Sequence, residues 1–155
     1  MSLLTWSDDR LLGIDSLDDQ HKTLVDCINK LVTECRKTET DGPGPSGEKL
    51  KKLARLFDDL YTTTKAHFSH EEAMMRDMAY PGYTAHAREH VMLIAELKTS
   101  FAKALTQQQC SLTPELLQAL KSWLIAHVSH SDRDFAKFFH EKHHTTPLPE
   151  SESPR

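Results

Sequence analysis

His21, His67, Glu71, His86, His90 and His127 interrupt runs of apolar residues at helical spacing. One histidine on an apolar stripe is more often a hydrogen-bonded core residue than a ligand, but six titratable groups on such stripes are another matter. Burying a polar group without a partner costs several kcal/mol, against a total stability of about 5–15 kcal/mol for a whole domain. Something must bind them together. His67-x-x-x-Glu71 and His86-x-x-x-His90 are i,i+4 pairs, about 6 Å apart on one helix face, a workable spacing for ligands of one metal or of adjacent metals. Imidazole with carboxylate and no thiolate favours iron, zinc, copper or manganese. Residue types alone do not choose among these.

Four helices can position these groups. In the first, Leu17, His21, Leu24, Ile28, Leu31 and Cys35 follow steps of three and four after Ser16-x-x-Asp19, a pattern resembling a capping box. Thr38 to Gly47 alternates glycine and proline and reads as a loop. A second helix begins near Ser46 or Glu48, with a stripe of Leu53, Phe57, Leu60, Thr64, His67, Glu71, Met74 and Met78, and stops at Tyr80-Pro81-Gly82. The third, capped by Thr84, carries His86, His90, Leu93, Leu97, Phe101 or Ser100, and Ala104. Thr113-Pro114-Glu115 opens the fourth, whose inner face is Leu116, Leu120, Trp123, Leu124 and His127.

The expected fold is all-α, an up-down-up-down antiparallel four-helix bundle with an N-terminal arm and a disordered C-terminal tail. In that topology the start of the first helix, the end of the second, the start of the third and the end of the fourth share one end of the barrel. The six groups then converge in one layer. Asp132 is a further carboxylate, five residues after His127. At about 100° per residue a regular α-helix turns it roughly 140° away from the histidine. A π-bulge, with a local repeat near five residues, realigns the two, so a distortion is expected between Ala126 and Asp134.

Composition agrees with one soluble, helix-rich domain. At 155 residues a chain of this length hides roughly 70% of its unfolded surface around one core. A net charge of −4 supplies no basic field for nucleic acid, and no apolar run reaches the ~20 residues of a membrane span. The start lacks the charged and apolar regions of a signal peptide, so a cytoplasmic address is expected. Three cysteines, Cys27, Cys35 and Cys110, form no Cys-x-x-Cys pair and are expected to be reduced. Domain bounds of 1–144 leave 145–155, proline-rich and polar, as the tail.

Trp6 with Gly13-Ile14, Asp18-Asp-Gln-His21, His67-Phe-Ser-His-Glu71-Glu, Tyr80-Pro-Gly-Tyr-Thr-Ala-His86-Ala-Arg-Glu-His90, and Trp123-Leu-Ile-Ala-His127 followed by Asp132 keep one order and spacing over about residues 6 to 140. In these pieces the chain resembles the hemerythrin family, specifically its single-domain bacterial members. The resemblance implies a non-heme di-iron centre: His86, His90 and His127 on one iron, His21 and His67 on the other, Glu71 and Asp132 bridging both, and a bridging hydroxide or oxide. The first iron is then six-coordinate and the second keeps one open position. Leu24, Phe68, Trp123 and Val128 match the positions that line the family's oxygen pocket, though ordinary core packing explains them equally well.

The implied function is reversible O₂ binding, as carrier or store, without enzymatic activity. Two alternatives stay open: O₂ or redox sensing through a separate partner, and a redox role handling peroxide or nitric oxide. An O₂-consuming enzyme or a redox protein is the corresponding partner. Ferritin-like oxidases use four carboxylates with two Glu-x-x-His pairs; the one such spacing here, Glu141 to His144, falls outside the layer. His70 and His130 sit off their helix faces and read as solvent-side or supporting residues. His140, His143 and His144 read as a solvated helix end or an adventitious metal binder.

Overall fold

A computed structural model describes residues 11–40, 47–101 and 114–143. Helix α1 spans Asp15–Thr40, α2 Gly47–Asp77 and α3 Tyr83–Glu96, the last running on into a π-helical turn at Leu97–Phe101. The fourth rod is α4, Pro114–His127, a π-helical turn at Val128–Asp132, and α5, Arg133–His143. The chain is an all-α four-helix bundle, with no strand among the described residues. None of the described helices is long and apolar enough to cross a membrane.

On α1 the expected stripe is the buried face: Leu17, His21, Leu24, Ile28 and Leu31 are inside, widened by Val25 and Val32. The side chain of Cys35, like Trp6, Ala104, Cys110, Thr113, His144 and the tail, lies outside the described residues. Ser16 is not the helix cap. Asp18 closes the N-terminal arm instead, its buried carboxylate accepting the N–H groups of Leu12 at 2.8 Å and Gly13 at 3.1 Å. Gly13 has φ +80°, a left-handed conformation that glycine adopts without steric cost. The helix also runs on to Thr40, past the expected start of the loop at Thr38. Thr38, Glu39 and Thr40 include no breaker; Gly42 and Pro43 are the first.

Along α2 the buried residues are Leu53, Leu60, Thr64, His67, Phe68, Glu71 and Met75. Met75, not Met74, continues the seam four residues beyond Glu71; Met74 and Met78 are only partly buried. The Thr64 hydroxyl satisfies itself on the Leu60 carbonyl at 2.7 Å. The helix ends in a Schellman motif, with Ala79 N–H donating to the Arg76 carbonyl and Tyr80 N–H to that of Met75. Ala79 occupies the left-handed position at φ +52°. Helix α3 starts one residue before Thr84, which is exposed in its first turn; Gly82 is the cap, without a side-chain bond.

Two apolar clusters fill the barrel. The larger contains Leu24, Ile28, Leu31, Leu53, Leu60, Leu97, Leu120 and Leu124, and the smaller Leu12, Ile14, Leu17, Met75, Phe135 and Ala136. Every rod crosses from one to the other at its histidines and acids. Passing from Leu17 to His21 to Leu24, α1 runs from the smaller cluster to the larger, as α3 does from Tyr83 through His86 and His90 to Leu97. The other two rods run the opposite way, from Phe68 through Glu71 to Met75 and from Val128 through Asp132 to Phe135. That alternation is the antiparallel topology, and it puts the polar groups in one layer between two dry ones.

Candidate metal centre

The structure brings all seven candidate side chains into that layer. His21, Glu71 and Asp132 are 0% exposed, and His67, His86, His90 and His127 no more than 5%. One set of ligand atoms, from Glu71, His86, His90, His127 and Asp132, lies within 4.8 Å of one another. A second set of the same compactness comes from His21, His67, Glu71 and Asp132. Three histidines belong to one set, two to the other, and both carboxylates to each.

Asp132 reaches the layer because of the π turn. The five residues Val128–Asp132 make one wide turn, so His127 and Asp132 face the same way, Nε2 to Oδ1 at 2.9 Å. Asp132 also meets His21 Nε2 through Oδ2 at 2.9 Å and His86 Nε2 through Oδ1 at 3.1 Å. Glu71 Oε1 is 2.9 Å from His86 Nε2 and 3.1 Å from His90 Nε2. The two ring nitrogens His90 Nε2 and His127 Nε2 stand 3.1 Å apart. Imidazole nitrogens aimed at one another and at shared carboxylates are what a cation between them would satisfy.

The outer ring nitrogens settle which atom faces inward. His67 Nδ1 donates to Gln20 Oε1 at 2.6 Å, His90 Nδ1 to Glu72 Oε2 at 2.6 Å, and His127 Nδ1 to Glu89 Oε1 at 3.1 Å. Amide and carboxylate oxygens can only accept, so each Nδ1 carries a proton and Nε2 is the atom turned to the interior, where it can ligate a metal once it holds no proton of its own. His67 Nε2 and Glu71 Oε2 are buried without a hydrogen-bond partner. Orphaned donor atoms with oriented rings fit a pair of bound metal ions. The spacing along the stripes pointed to six of the inner residues, and the expected π-bulge to Asp132, but nothing pointed to Gln20, Glu72 and Glu89, whose one sequence signal is adjacency to His21, Glu71 and His90.

The electrostatics follow the geometry. Burial pushes His67 down to about 4, against the pull of Glu71. Burial also opposes charge on His86, but hydrogen bonds to Asp132 and Glu71 outweigh it and hold the ring up to about 9. His127 is raised well above its ordinary value, its burial overcome by Asp132, Glu71 and Glu89. Glu71, despite burial and the neighbouring Asp132 charge, is held near 2 by His127, His86 and His90. Without metal, Asp132 and Glu71 favour the protonated form of His86 and His127.

A family model described as the hemerythrin HHE cation binding domain matches residues 12–139. The chain belongs to the hemerythrin family. It is 30% identical over 139 residues to a bacteriohemerythrin of Stenotrophomonas maltophilia, covering 88% of this chain and 81% of that one. A bacteriohemerythrin of Methylococcus capsulatus is 28% identical over 86% of this chain and 94% of its own, and one of Clostridium acetobutylicum 26% identical over 86% and 98%. As a hemerythrin-family domain with a buried cluster of histidine, glutamate and aspartate, the chain has the donors of a cation site.

Among the other histidines, His70 is exposed with Nε2 3.2 Å from the Ser16 hydroxyl, and His130 is exposed. His140 is not a solvated end. It is partly buried, and its Nε2 donates to the Leu12 carbonyl at 2.7 Å, tying α5 to the arm. His143 is exposed and stacks on Phe139. Cys27 is half-buried, and burial pushes its thiol up.

Proposed function

We propose that the chain binds O₂ reversibly at a di-iron centre and acts as a carrier or store rather than a catalyst. The observation that carries this reading is the unequal division of donors. Two compact sets share Glu71 and Asp132, but one has three histidines and the other two. With equal bridging, the two-histidine position has one protein donor fewer and so keeps room for a small ligand. A ferrous pair, when bound, supplies the two electrons that O₂ capture needs. His21 and His67 would hold the ion with fewer protein donors, and Glu71 and Asp132, common to both sets, would serve both ions.

Around this layer Leu24, Phe68, Trp123 and Val128 are all buried within the larger apolar cluster. Their role is to exclude water, whose entry would turn reversible capture into irreversible oxidation of the metal. Phe68 stacks on His90 at 3.7 Å between ring centroids and lies 5.8 Å from His67, so it screens both halves of the centre.

The test is anaerobic loading with two equivalents of Fe(II), exposure to O₂, and absorption spectroscopy followed by degassing. A visible band that appears with O₂ and vanishes on degassing is the expected result. Immediate conversion to a stable ferric spectrum that does not reverse would replace this function with a redox role.

A further inference from the structure

The three outer hydrogen bonds are not equivalent. His90 and His127, both in the three-histidine set, donate Nδ1–H to carboxylates, Glu72 at 2.6 Å and Glu89 at 3.1 Å. His67, in the two-histidine set, donates to the neutral amide oxygen of Gln20, also at 2.6 Å. Distance therefore does not distinguish them; charge does. A carboxylate behind an imidazole draws the Nδ1 proton toward itself and makes Nε2 a stronger donor, whereas an amide fixes the same ring orientation without that push.

We propose that Glu72, Glu89 and Gln20 are positioning residues that grade the two metal positions. The acids make the three-histidine position the tighter one and the better stabilised in the higher oxidation state. Gln20 keeps the two-histidine position a weaker donor set, whose metal is held less firmly and is more easily kept reduced. The grading comes from outside the ligand set, in addition to the different number of histidines. It rests on the two-metal reading of the site but not on O₂ binding, so it is testable with a metal that does no oxygen chemistry.

The experiment is a stepwise Zn²⁺ titration of the full metal-free chain against a competing chelator, with the histidine ring protons followed by NMR in the zinc-loaded form. Wild type takes up two equivalents in two resolved steps. Glu72→Gln and Glu89→Gln each weaken the tighter step by about 10- to 100-fold, the usual cost of losing such a support, and leave the weaker step within about threefold. The Nδ1–H resonance of His90 moves upfield in Glu72→Gln, and that of His127 in Glu89→Gln. Gln20→Glu acts in the opposite sense, tightening the weaker step and narrowing the gap between the two.

Glutamine is close in shape to glutamate, and both acids are partly exposed, so these variants are expected to fold, which a thermal melt checks. Should a Glu→Gln variant fold poorly, Gln20→Glu carries the test by itself. Unchanged binding steps and unmoved ring protons in the Glu→Gln variants, or no tightening in Gln20→Glu, overturn the grading while leaving the two-metal reading intact. A wild-type chain that binds no zinc and no iron overturns both.

Discussion

His127 and Asp132 are five residues apart in sequence, yet Nε2 of one stands 2.9 Å from Oδ1 of the other. The π turn from Val128 to Asp132 makes this contact, and its extra residue is the whole device. Removing exposed His130 returns the spacing to four, at which an ordinary α-helix aligns the same two side chains. Deletion of His130 is therefore expected to keep two metal equivalents per chain. Inserting one alanine after Ser129 rotates the carboxylate by about 100° and is expected to lose at least one. Elemental analysis of iron-loaded protein measures both; equal metal content in the insertion and wild type would show that Asp132 is not needed.

Metal uptake should release protons. His86 is held up to about 9 and His127 well above 6.5, so at pH 7.5 both rings are charged in the metal-free chain, whereas His67, at about 4, is neutral. Ligation needs all three neutral. Loading at pH 7.5 should therefore release protons from His86 and His127, read by titration in a weakly buffered indicator solution. Because the His86 value is raised on folding, its contribution to metal-free stability is full below about 6.5 and fades as pH rises through about 9. Chemical melts of metal-free protein between these values should show that decline; a flat profile with no proton release would refute the charge assignment.

Leu24→Asn puts an amide into a position 1% exposed beside the ligand layer. An unsatisfied buried amide costs about 1–3 kcal/mol, so the melting temperature falls. If dryness preserves the oxygenated form, that form also decays several-fold faster, on the order of 1 kcal/mol in the barrier. The decay of the visible band in air measures it, and an unaltered lifetime would mean that water exclusion at Leu24 plays no part.

Two backbone positions give predictions of opposite sign. Ala79 sits at φ +52° in the Schellman motif, where a Cβ costs about 1–2 kcal/mol that glycine avoids, less the entropy glycine adds to the unfolded chain. Ala79→Gly should stabilise by about 0.5–1 kcal/mol. Gly13 is at φ +80°, and a Cβ there would meet His140 Nε2 at 2.9 Å. Gly13→Ala should destabilise by about 2 kcal/mol, with the arm's bond to His140 lost. Urea unfolding distinguishes these shifts from none.

The stripes were readable because a helix repeats every 3.6 residues, and His21, His67, Glu71, His86, His90 and His127 fall on that repeat with leucines on either side. Asp132 violates it, and the violation itself marked the π turn. What could not be read lies off the stripes. Gln20, Glu72 and Glu89 occupy positions where solvated polar residues are ordinary, and only the fold reveals that each faces a ligand on another helix. Likewise Asp18 and His140 bind the arm through contacts with backbone groups, which leave no periodic trace. Helix ends shifted by one to three residues at Ser16, Thr38 and Thr84 because caps depend on local backbone geometry more than on residue type.

Because greasy side chains stopper the barrel above and below the histidines, neither end is a door. A cation, and under the proposed function dioxygen, would pass between neighbouring rods rather than along the axis, on the flanks where surface hollows are lined by His86, His90 or His127.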